Sequence, residues 1–363
     1  SGESSKETLE ADLTVCMEAV KQGLVRLPAF LYCGELVTVD LGIHKAAKLE
    51  MGEQKMVADG ELAASLLPLR SRTAHKGSFG TVMVIGGSVN YTGAPILAGQ
   101  SAYRVGAGLV QMAIPASIQP QVCSSLLEAI WLLLDDEMGA IAEPAFELVS
   151  AQMDRVTCFV LGPGMGKDET TARFVKRLLM GLAESPAKSM GFIPVERQAP
   201  ESKKLLPPFV IDADGLRILS TIPDWSKYIQ GSGVLTPHPG EMAALTGLTV
   251  EEVQKSREEI AVHYSHVWNQ VVVLKGALTV IADPDGNAVI IPVASSALAK
   301  AGSGDVLSGA IAGFMAQGIS AFSAAVAGSW YHAQAGLAAA AQLGSERSVM
   351  AGDLIRAFPT VLK

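Results

Sequence analysis

Five short apolar runs, each followed directly by a loop rich in glycine, proline or charged residues, constrain the fold of this chain most strongly. The runs cover residues 80–85, 158–161, 209–211, 233–235 and 271–274. Continuous apolar runs of this length are typical of strands buried on both faces of a parallel sheet. A helical pattern at 94–105 separates the first run from another at 109–114, as in a βαβ unit. The sequence therefore predicts an α/β fold with a mostly parallel central sheet.

The composition narrows the classes of partner and the compartment. The chain has 363 residues, a formal net charge of −8 and a pI near 5.3. This acidity argues against nucleic acid or an anionic membrane as a general partner, so a phosphate site would be local and built largely from backbone. The cysteines show no CxxC or metal-ligand spacing and no signal peptide is visible, which favours a cytoplasmic location. The N-terminus looks cut, which leaves a lost targeting segment open.

Four segments outside the apolar runs carry predictions of their own. Residues 50–70 should be helical, with Asp59 as the N-cap. Residues 190–208, rich in Pro, Lys and Ser, predict a flexible surface insertion. Residues 283–286 predict a hairpin turn that makes part of the sheet edge antiparallel. Residues 319–343 are long and apolar enough to suggest a membrane span, but their polar side chains favour a helix that is buried or contacts another subunit of a homo-oligomer.

Polar residues gather where the predicted strands end, which is where open α/β sheets bind ligands. Asp212 and Asp214 could hold Mg²⁺ through water, or Asp214 could cap the following helix. His238 lies between two prolines, which favours a ligand contact over a purely structural hydrogen bond. Glu241 could act on magnesium-bound water or simply favour the start of the next helix. Lys275 follows four apolar residues and could bind phosphate as a point charge.

Glycine-rich turns follow two of the strands, at residues 86–87 and 162–166. Three glycines within residues 162–166 suggest that a ligand or a neighbouring backbone passes close to the loop. Their spacing does not match GxGxxG, which excludes the Rossmann fingerprint. At Gly93 and Ala94 a flat ring could lie over the helix start, and a plain capped helix is the alternative.

A Gly-Ser-Gly-Asp element at Gly302-Ser303-Gly304-Asp305 begins a long apolar helical pattern. The free N–H groups and the positive dipole end of a helix attract phosphate, and a carboxylate there can act as a base. The alternative is an ordinary Asp N-cap after a glycine turn. The loops at the other strand ends favour the first interpretation, because together they supply a phosphate, a metal and a base site.

These motifs resemble, in order, those of the ATP/ADP-dependent NAD(P)H-hydrate dehydratases, a branch of the ribokinase-like superfamily. The His-Pro-Gly-Glu and Gly-Pro-Gly-x-Gly elements together are specific to this family, whereas Gly-x-Gly-Asp alone indicates only the superfamily. The resemblance runs from about residue 62 to the end and implies a ribokinase-like three-layer α/β/α fold. The matching segments are residues 75–77, 84–88, 91–94, 106–110, 161–166, 212–214, 236–241, 274–276 and 301–309.

The N-terminal part resembles the last portion of an NAD(P)H-hydrate epimerase domain, which is often fused in front of the dehydratase. The matching segments are Ser1-Gly2 and residues 11–15 and 34–43. Strands are predicted at residues 11–17 and 35–41, which overlap the second and third of these segments. The resemblance divides the chain into an epimerase-like fragment at 1–55 and a dehydratase domain at 56–363. It also implies a K⁺ site in the epimerase half, most of which is absent from this sequence.

The resemblance implies a lyase that repairs hydrated NADH and NADPH with ADP or ATP as co-substrate and Mg²⁺ as cofactor. Asp305 would be the catalytic base that deprotonates the 6-hydroxyl of the hydrated ring. Substrate-binding residues would be Ala94, Gly164, His238 and Asp305. Nucleotide-binding residues would be Lys275, Gly276, Ala277, Leu278, Thr279, Gly302, Ser303 and Gly304. Magnesium would be held by Asp214 and Glu241, through water or phosphate.

Two other functions remain open on the sequence. A ribokinase-like kinase of a vitamin-precursor alcohol would leave a stable phosphorylated product, and a non-catalytic module would bind the dinucleotide without turnover. The intact Asp305 argues against the second. One departure from the family pattern is residues 294–299, where many members carry an Asn-rich turn; this puts a contact to substrate in doubt, but not the base.

Overall fold

A ten-stranded, mostly parallel sheet forms the centre of the computed structural model, which describes residues 2–42, 55–184 and 206–362. The strand order is β3-β14-β13-β12-β11-β10-β9-β4-β5-β6. The strands are β1 (Leu13–Met17), β2 (Glu35–Val39), β3 (Lys55–Val57), β4 (Thr81–Ile85), β5 (Leu109–Pro115), β6 (Ile130–Leu134), β7 (Asp136–Glu137), β8 (Ala140–Ile141), β9 (Cys158–Leu161), β10 (Phe209–Ile211), β11 (Gly233–Leu235), β12 (Val271–Leu274), β13 (Val280–Ala282) and β14 (Ala288–Ile290).

The helices lie in two layers, one on each face of this sheet. They are α1 (Gly60–Ser65), α2 (Gly93–Arg104), α3 (Gln119–Val122), α4 (Ala145–Gln152), α5 (Glu169–Glu184), α6 (Asp214–Leu219), α7 (Pro239–Thr246), α8 (Val250–Lys255), α9 (Arg257–Trp268), α10 (Ser303–Ala316), α11 (Ala321–Leu343) and α12 (Ala351–Val361).

Successive residues of strand β4 face two separate cores. Val82 and Val84 belong to one core, which also contains buried residues of α2, α10 and α11. Met83 and Ile85 belong to the other core, with buried residues of α5 and α6. Because side chains alternate across a strand, this confirms the predicted three-layer α/β/α architecture. It also explains the continuous apolar runs, since both faces of each strand are covered.

The chain reverses its direction across the sheet between β4 and β9. From β4 it proceeds to β5 and β6 on one side, and it then crosses back to β9, β10, β11 and β12 on the other. The loops that follow β4 and β9 therefore lie side by side at the topological switch point, where ligands bind in folds of this kind. Parallel pairing of β4 with both neighbours puts the two strand ends at the same edge.

The predicted hairpin and its antiparallel pairing are confirmed, but they lie one strand inside the sheet edge, because β3 forms that edge and pairs in parallel with β14. Strand β13 pairs antiparallel with both β12 and β14, and the turn between β13 and β14 covers residues 283–286. The Asp283 carboxylate accepts from the backbone N–H groups of Asp285 and Asn287 at 3.0 and 2.9 Å. The side chain of this turn residue thus stabilises the hairpin locally.

The prediction of a helix over 50–70 is partly wrong. Residues 50–54 lie outside the described part, and Lys55–Val57 is a strand, because it pairs in parallel with Ala288–Ile290 at the sheet edge. Helix α1 is short and ends before Pro68, as the restriction on residues preceding proline requires. Asp59 is its N-cap, as predicted, and accepts from the Leu62 N–H at 2.8 Å.

The long apolar segment is helix α11, and most of its residues are buried against α10 and α12. Within the ranges that the structure describes, no helix is both long and apolar enough to cross a membrane. The predicted insertion at 190–208 falls almost entirely on residues that lie outside those ranges. Only residues 206–208 are described, and they lead into β10 with Leu206 buried.

The N-terminal segment, residues 2–42, forms a separate two-stranded parallel sheet of β1 and β2. Both strands were predicted, and each is slightly shorter than its apolar pattern. Two single-turn 3-10 helices, Gln22–Val25 and Ala29–Tyr32, connect them. Val25 is buried in the core that contains α5 and α6, so the segment packs on the main domain.

Candidate functional site

The N-terminus of α10 begins with a glycine in the left-handed region. Gly302 has φ +88°, a conformation that strains any L side chain, and a Cβ there would also lie 2.6 Å from the Leu97 Cδ1 atom, so this position favours glycine. The N–H of Ser303 donates to the Lys300 carbonyl at 3.2 Å. No acceptor in the described part of the chain faces the N–H groups of Gly304 and Asp305. Of the backbone N–H groups predicted to bind phosphate, that of Gly304 is therefore free to donate, whereas that of Ser303 already donates to Lys300.

Asp305 occupies the third position of this helix and is half-buried. Burial, helped by the Asp212 and Asp214 carboxylates and opposed by Lys275, raises the pKa of its carboxyl to about 7. A carboxylate whose pKa lies near neutrality can accept a proton from a hydroxyl and release it again. Asp305 thus has the properties of a general base.

The side chain of Lys275 lies between the start of helix α10 and the end of strand β10. Its Nζ lies 2.6 Å from Asp212 Oδ1 and 3.8 Å from Glu241 Oε2. A Cβ on Gly304 would lie 3.5 Å from the same Nζ, so the ammonium group lies at the start of α10. Burial lowers the pKa of Lys275, but the Asp212 and Glu241 carboxylates raise it more, and the net shift is upward. Lys275 is therefore a charged group at the predicted phosphate position.

His238 is the N-cap of α7, a role that the sequence analysis did not anticipate. Its Nδ1 accepts from the N–H groups of Gly240 and Glu241 at 3.0 and 3.2 Å. Glu241 Oε2 accepts from the His238 N–H at 2.9 Å, which completes a capping box. The Nε2 of His238 lies 3.2 Å from Glu241 Oε1, and 44% of the His238 side chain is exposed. The imidazole is thus held in one orientation while part of it remains open to a ligand.

The two residues predicted to hold magnesium are both engaged in hydrogen bonds. Asp214 Oδ2 accepts from the Gly166 N–H at 3.0 Å. Glu241 is buried, which raises its pKa, but its contacts with His238 through both oxygens and the nearby Lys275 charge outweigh burial and lower its pKa. Among the residues that the structure describes, no group of three or more His, Cys, Asp or Glu side chains could hold a metal ion. Any magnesium here would need ligands from a bound nucleotide or water.

The loops after β4 and β9 meet at Gly164. This residue has φ +65°, and a Cβ there would lie 2.9 Å from the Ala94 Cβ and 2.7 Å from the Tyr91 carbonyl oxygen. Ser88 Oγ donates to the Gly164 carbonyl at 2.9 Å. Two residues predicted to bind the same substrate, Ala94 and Gly164, are therefore neighbours, as the topology of the switch point requires.

A cavity of about 820 Å³ opens beside the N-terminus of α10. Most residues predicted to bind nucleotide line it, together with His238: Lys275, Gly276, Ala277, Thr279, Ser303 and Gly304. Leu278 does not line it, because its side chain is buried in the core and its N–H donates to the Val293 carbonyl. Gly302, Ala94, Gly164, Asp305, Asp214 and Glu241 lie outside this lining.

His332 lines the cavity and was missed by the sequence analysis. Its Nε2 lies 2.9 Å from the Ser303 carbonyl oxygen and 3.0 Å from Ser303 Oγ. Because a carbonyl can only accept, Nε2 carries the proton and donates. Burial lowers the pKa of His332 to about 4, so the ring is neutral at physiological pH. The one signal in the sequence was a histidine in a mostly apolar helix, which more often makes a hydrogen bond in the core than a ligand contact.

Residues 294–299, where the sequence differs from the family pattern, also line the cavity. The residues in the lining are Ala294, Ser295, Ser296, Leu298 and Ala299. The Oγ of Ser295 and the N–H of Ser296 donate to the Glu346 carboxylate at 3.0 and 3.1 Å. A carboxylate 50 residues further along the chain than Ser296 therefore anchors this loop by hydrogen bonds.

Comparison with known proteins identifies the family of the chain. A family model described as NAD(P)H-hydrate dehydratase matches residues 82–360. The bifunctional NAD(P)H-hydrate repair enzyme of Moorella thermoacetica is 36% identical over 98% of this chain and 63% of its own length. The ADP-dependent (S)-NAD(P)H-hydrate dehydratase of Neisseria meningitidis is 32% identical over 78% of this chain and 86% of its own length. The chain thus spans about 63% of the length of the Moorella relative.

Solved structures give the same result. The crystal structure of an ADP/ATP-dependent NAD(P)H-hydrate dehydratase from Bacillus subtilis, co-crystallised with ATP/Mg²⁺, aligns with a TM-score of 0.67 and 29% identity. The alignment covers 84% of this chain and 97% of that one. A ribokinase-like superfamily protein from Enterococcus faecalis, 20% identical, shares the fold with a TM-score of 0.66 over 86% of this chain and 97% of its own. The chain belongs to the NAD(P)H-hydrate dehydratase family.

Proposed function

We propose that this chain removes water from hydrated NADH and NADPH in a reaction driven by ADP or ATP. The observation that carries the proposal is Asp305, a carboxyl with a pKa near 7 at the open start of a helix, beside the Lys275 ammonium group. A base, a cation and unpaired backbone donors are the groups that phosphoryl transfer to a hydroxyl requires. The family of the chain supports the substrate.

Asp305 would take the proton from the 6-hydroxyl of the hydrated nicotinamide ring. The oxygen would then attack the terminal phosphoryl group of the nucleotide, and the nucleotide would leave one phosphate shorter. In the second half of the reaction the bond between C6 and oxygen breaks and inorganic phosphate departs. The ring nitrogen supplies the electron pair, and C5 loses a proton, which restores the dihydronicotinamide. Asp305 would be available in both ionisation states because its pKa lies near neutrality.

Lys275 and the N–H of Gly304 would stabilise the charge on the transferring phosphoryl group. Both lie at the start of α10, and backbone donors held in advance need no reorganisation during the reaction. The Ser303 backbone N–H is engaged by Lys300, so we assign the contribution of Ser303 to its side chain. Lys275, Gly276, Ala277 and Thr279 would form the nucleotide side of the cavity.

Magnesium fits this site only together with a bound nucleotide. Asp214 has a second carboxylate oxygen, Oδ1, which could bind magnesium-coordinated water while Oδ2 remains on Gly166. Glu241 would have to exchange one of its contacts with His238. When bound, the ion would neutralise phosphate charge; the related Bacillus subtilis enzyme was co-crystallised with ATP/Mg²⁺.

A direct test mixes the protein with hydrated NADH, Mg²⁺ and either ADP or ATP, and follows the absorbance of reduced nicotinamide and the release of inorganic phosphate. We expect both to appear in equal amounts with at least one nucleotide. A stable phosphorylated product without phosphate release would indicate a kinase instead. No return of the reduced-nicotinamide spectrum with either nucleotide would contradict the proposal.

We further infer that residues 1–55 are the end of an epimerase-like domain and that residues 56–363 are the dehydratase domain. The separate sheet of β1 and β2 and the bifunctional names of relatives such as that of Moorella thermoacetica support this division. A K⁺ site would then belong to the epimerase half, and Ser1 lies outside the described residues. Epimerase activity of a longer protein would be tested by conversion of (R)- to (S)-hydrated NADH.

The homo-oligomer and the cytoplasmic location remain predictions. Helix α11 packs against α10 and α12 of its own chain, so the oligomer needs separate support. Sedimentation velocity at several protein concentrations tests it, and a monomer throughout would contradict it.

A further inference from the structure

One wall of the cavity beside α10 comes from the N-terminal segment. Leu31, in the single-turn helix Ala29–Tyr32, lines the same cavity as Lys275 and Thr279. Every other residue of the lining falls between His238 and Glu346. Leu31 is also 62% exposed, so its side chain is accessible to a bound ligand. An apolar group in this position gains by contact with an apolar part of a ligand.

The N-terminal segment is held against α9 by specific contacts. Arg26 Nη2 lies 2.9 Å from Glu259 Oε1, and Gln22 Nε2 donates to Glu258 Oε2 at 3.3 Å. Glu258 is 5% exposed and also pairs with Lys55 Nζ at 2.6 Å. Burial opposes its ionisation, but these partners outweigh burial and lower its pKa. The segment is thus fastened to a buried, charged residue of the main domain.

The residue next to Glu258 holds the loop that follows β12. Arg257 Nη2 donates to the carbonyls of Leu274 and Lys275 at 2.8 and 3.2 Å. A Cβ on Gly276 would lie 3.1 Å from the same Nη2. The first turn of α9 therefore contacts the N-terminal segment through Glu258 and the predicted phosphate loop through Arg257.

We propose that the N-terminal segment is part of the nucleotide-binding site, with Leu31 packing on the purine base and its sugar. The proposal rests on the nucleotide site of the proposed function. An aliphatic side chain has no donor for phosphate, so the flat, apolar base is the part of a nucleotide that it suits. Since binding free energies are reciprocal, a bound nucleotide also strengthens the docking of residues 22–33 on α9.

The first test replaces Leu31 with Asn and compares it with a matched control, Leu13→Asn. Leu13 lies in the same segment and is 51% exposed, but does not line the cavity. Titration calorimetry measures the dissociation constants of ADP and ATP with Mg²⁺ on the full chain. We expect binding about tenfold weaker for Leu31→Asn, equivalent to about 1.4 kcal/mol, and unchanged binding for Leu13→Asn. Equal affinity of Leu31→Asn and wild type would overturn the proposal.

The second test needs no variant and uses the wild-type chain. Hydrogen exchange of the amides in residues 22–33 is compared with and without saturating nucleotide. These amides include those of Phe30 and Leu31, which donate to the carbonyls of Arg26 and Pro28. We expect slower exchange with nucleotide bound, and unchanged exchange would contradict the coupling.

The two proposals fail in different ways. If wild type binds neither ADP nor ATP, the nucleotide site and this inference are both wrong. Wild type could instead bind and turn over nucleotide while Leu31→Asn binds it with the same affinity and nucleotide leaves the exchange of residues 22–33 unchanged. In that case only this inference is wrong.

Discussion

Asp305 binds its proton tightly because burial and the nearby Asp212 and Asp214 carboxylates oppose ionisation. The same residue in an exposed N-cap would titrate near 4. His332 shows the opposite effect, because burial disfavours its charged form and lowers its pKa to about 4. At neutral pH Asp305 can gain and lose a proton, whereas His332 stays neutral and keeps its proton on Nε2. The chemistry assigned to each side chain thus depends on its surroundings more than on its type.

The pH profile of the reaction should follow Asp305. We expect kcat/KM to rise with pH through about 7, because only the ionised carboxylate accepts the proton of the hydroxyl. Asp305→Asn should lower kcat by about 10²–10⁴-fold and abolish that limb of the profile. Steady-state kinetics between pH 5 and 9 measure both, and near-normal activity of the variant would show that Asp305 is not the base.

The same carboxyl should make stability depend on pH. Its folded-state pKa of about 7 exceeds the unfolded value, so its stabilising contribution is full below about 4 and is lost as the pH rises through 7. Asp305→Asn avoids this loss and should melt roughly 2–4 °C above wild type at pH 8, with the difference shrinking towards pH 4. Calorimetric melting curves measure it, and a constant difference at all pH values would be inconsistent with this assignment.

His332 should act by holding Ser303 at the cavity. His332→Leu removes the donor to the Ser303 carbonyl. We therefore expect this variant to raise the KM for nucleotide about tenfold and to change kcat less. Gln can present an N–H near the position of Nε2 and should restore part of the affinity. If the Leu and Gln variants had equal kinetics, the hydrogen bond would have no role in binding.

At the scale of elements, helix ends carry most of the site. Helix α7 begins with the capping box of His238 and Glu241, and α10 begins with Gly302 in the left-handed region. In α8 a second capping box, formed by Thr249 and Glu252, lies on an exposed surface. The two capping boxes have the same hydrogen-bond pattern, but only the first lies at the site. Comparing variants of the two therefore distinguishes the contribution of a cap to stability from its contribution to binding.

Glu252→Ala should destabilise the chain by about 1 kcal/mol because it removes a capping box, and Glu241→Ala should destabilise it more because Glu241 is also buried beside Lys275. Only Glu241→Ala should raise the KM for nucleotide, because Glu241 lies 3.8 Å from Lys275 and orients the ring of His238. Chemical denaturation and steady-state kinetics on both variants test this. A kinetic effect of Glu252→Ala of equal size would refute the distinction.

At the scale of the whole molecule, the order of the strands brings the loops together. The crossing of the chain between β4 and β9 puts the start of α2, which contains Ala94, against the loop containing Gly164. The Asp214 carboxylate, after β10, then binds the N–H of Gly166 and links a third strand end to the other two. The substrate side of the site is therefore a product of sheet topology.

Gly164→Ala should disrupt this junction. The added Cβ would lie 2.7 Å from the Tyr91 carbonyl oxygen in a backbone with φ +65°, so both strain and a clash result. Gly344→Ala is the matched control, with φ +68° and nothing within 4 Å of the Cβ position. We expect each to lose about 1 kcal/mol of stability from the backbone, and only Gly164→Ala to lower kcat/KM for hydrated NADH, by about tenfold or more. Equal kinetics of the two variants would contradict a substrate role for this loop.

The amino-acid sequence by itself determined the buried parallel strands, the antiparallel hairpin at residues 283–286 and the glycine-marked start of α10. These features follow from side-chain periodicity, turn residues and φ preferences. Such patterns depend only on residues that are close together in the sequence. Only the tertiary structure decided that Lys275 pairs with Asp212, 63 residues away, and that His332 holds Ser303. It also decided the strand at Lys55–Val57 and the pKa of Asp305. Each of these depends on which distant groups meet in space and how much water they exclude, and no local pattern encodes that.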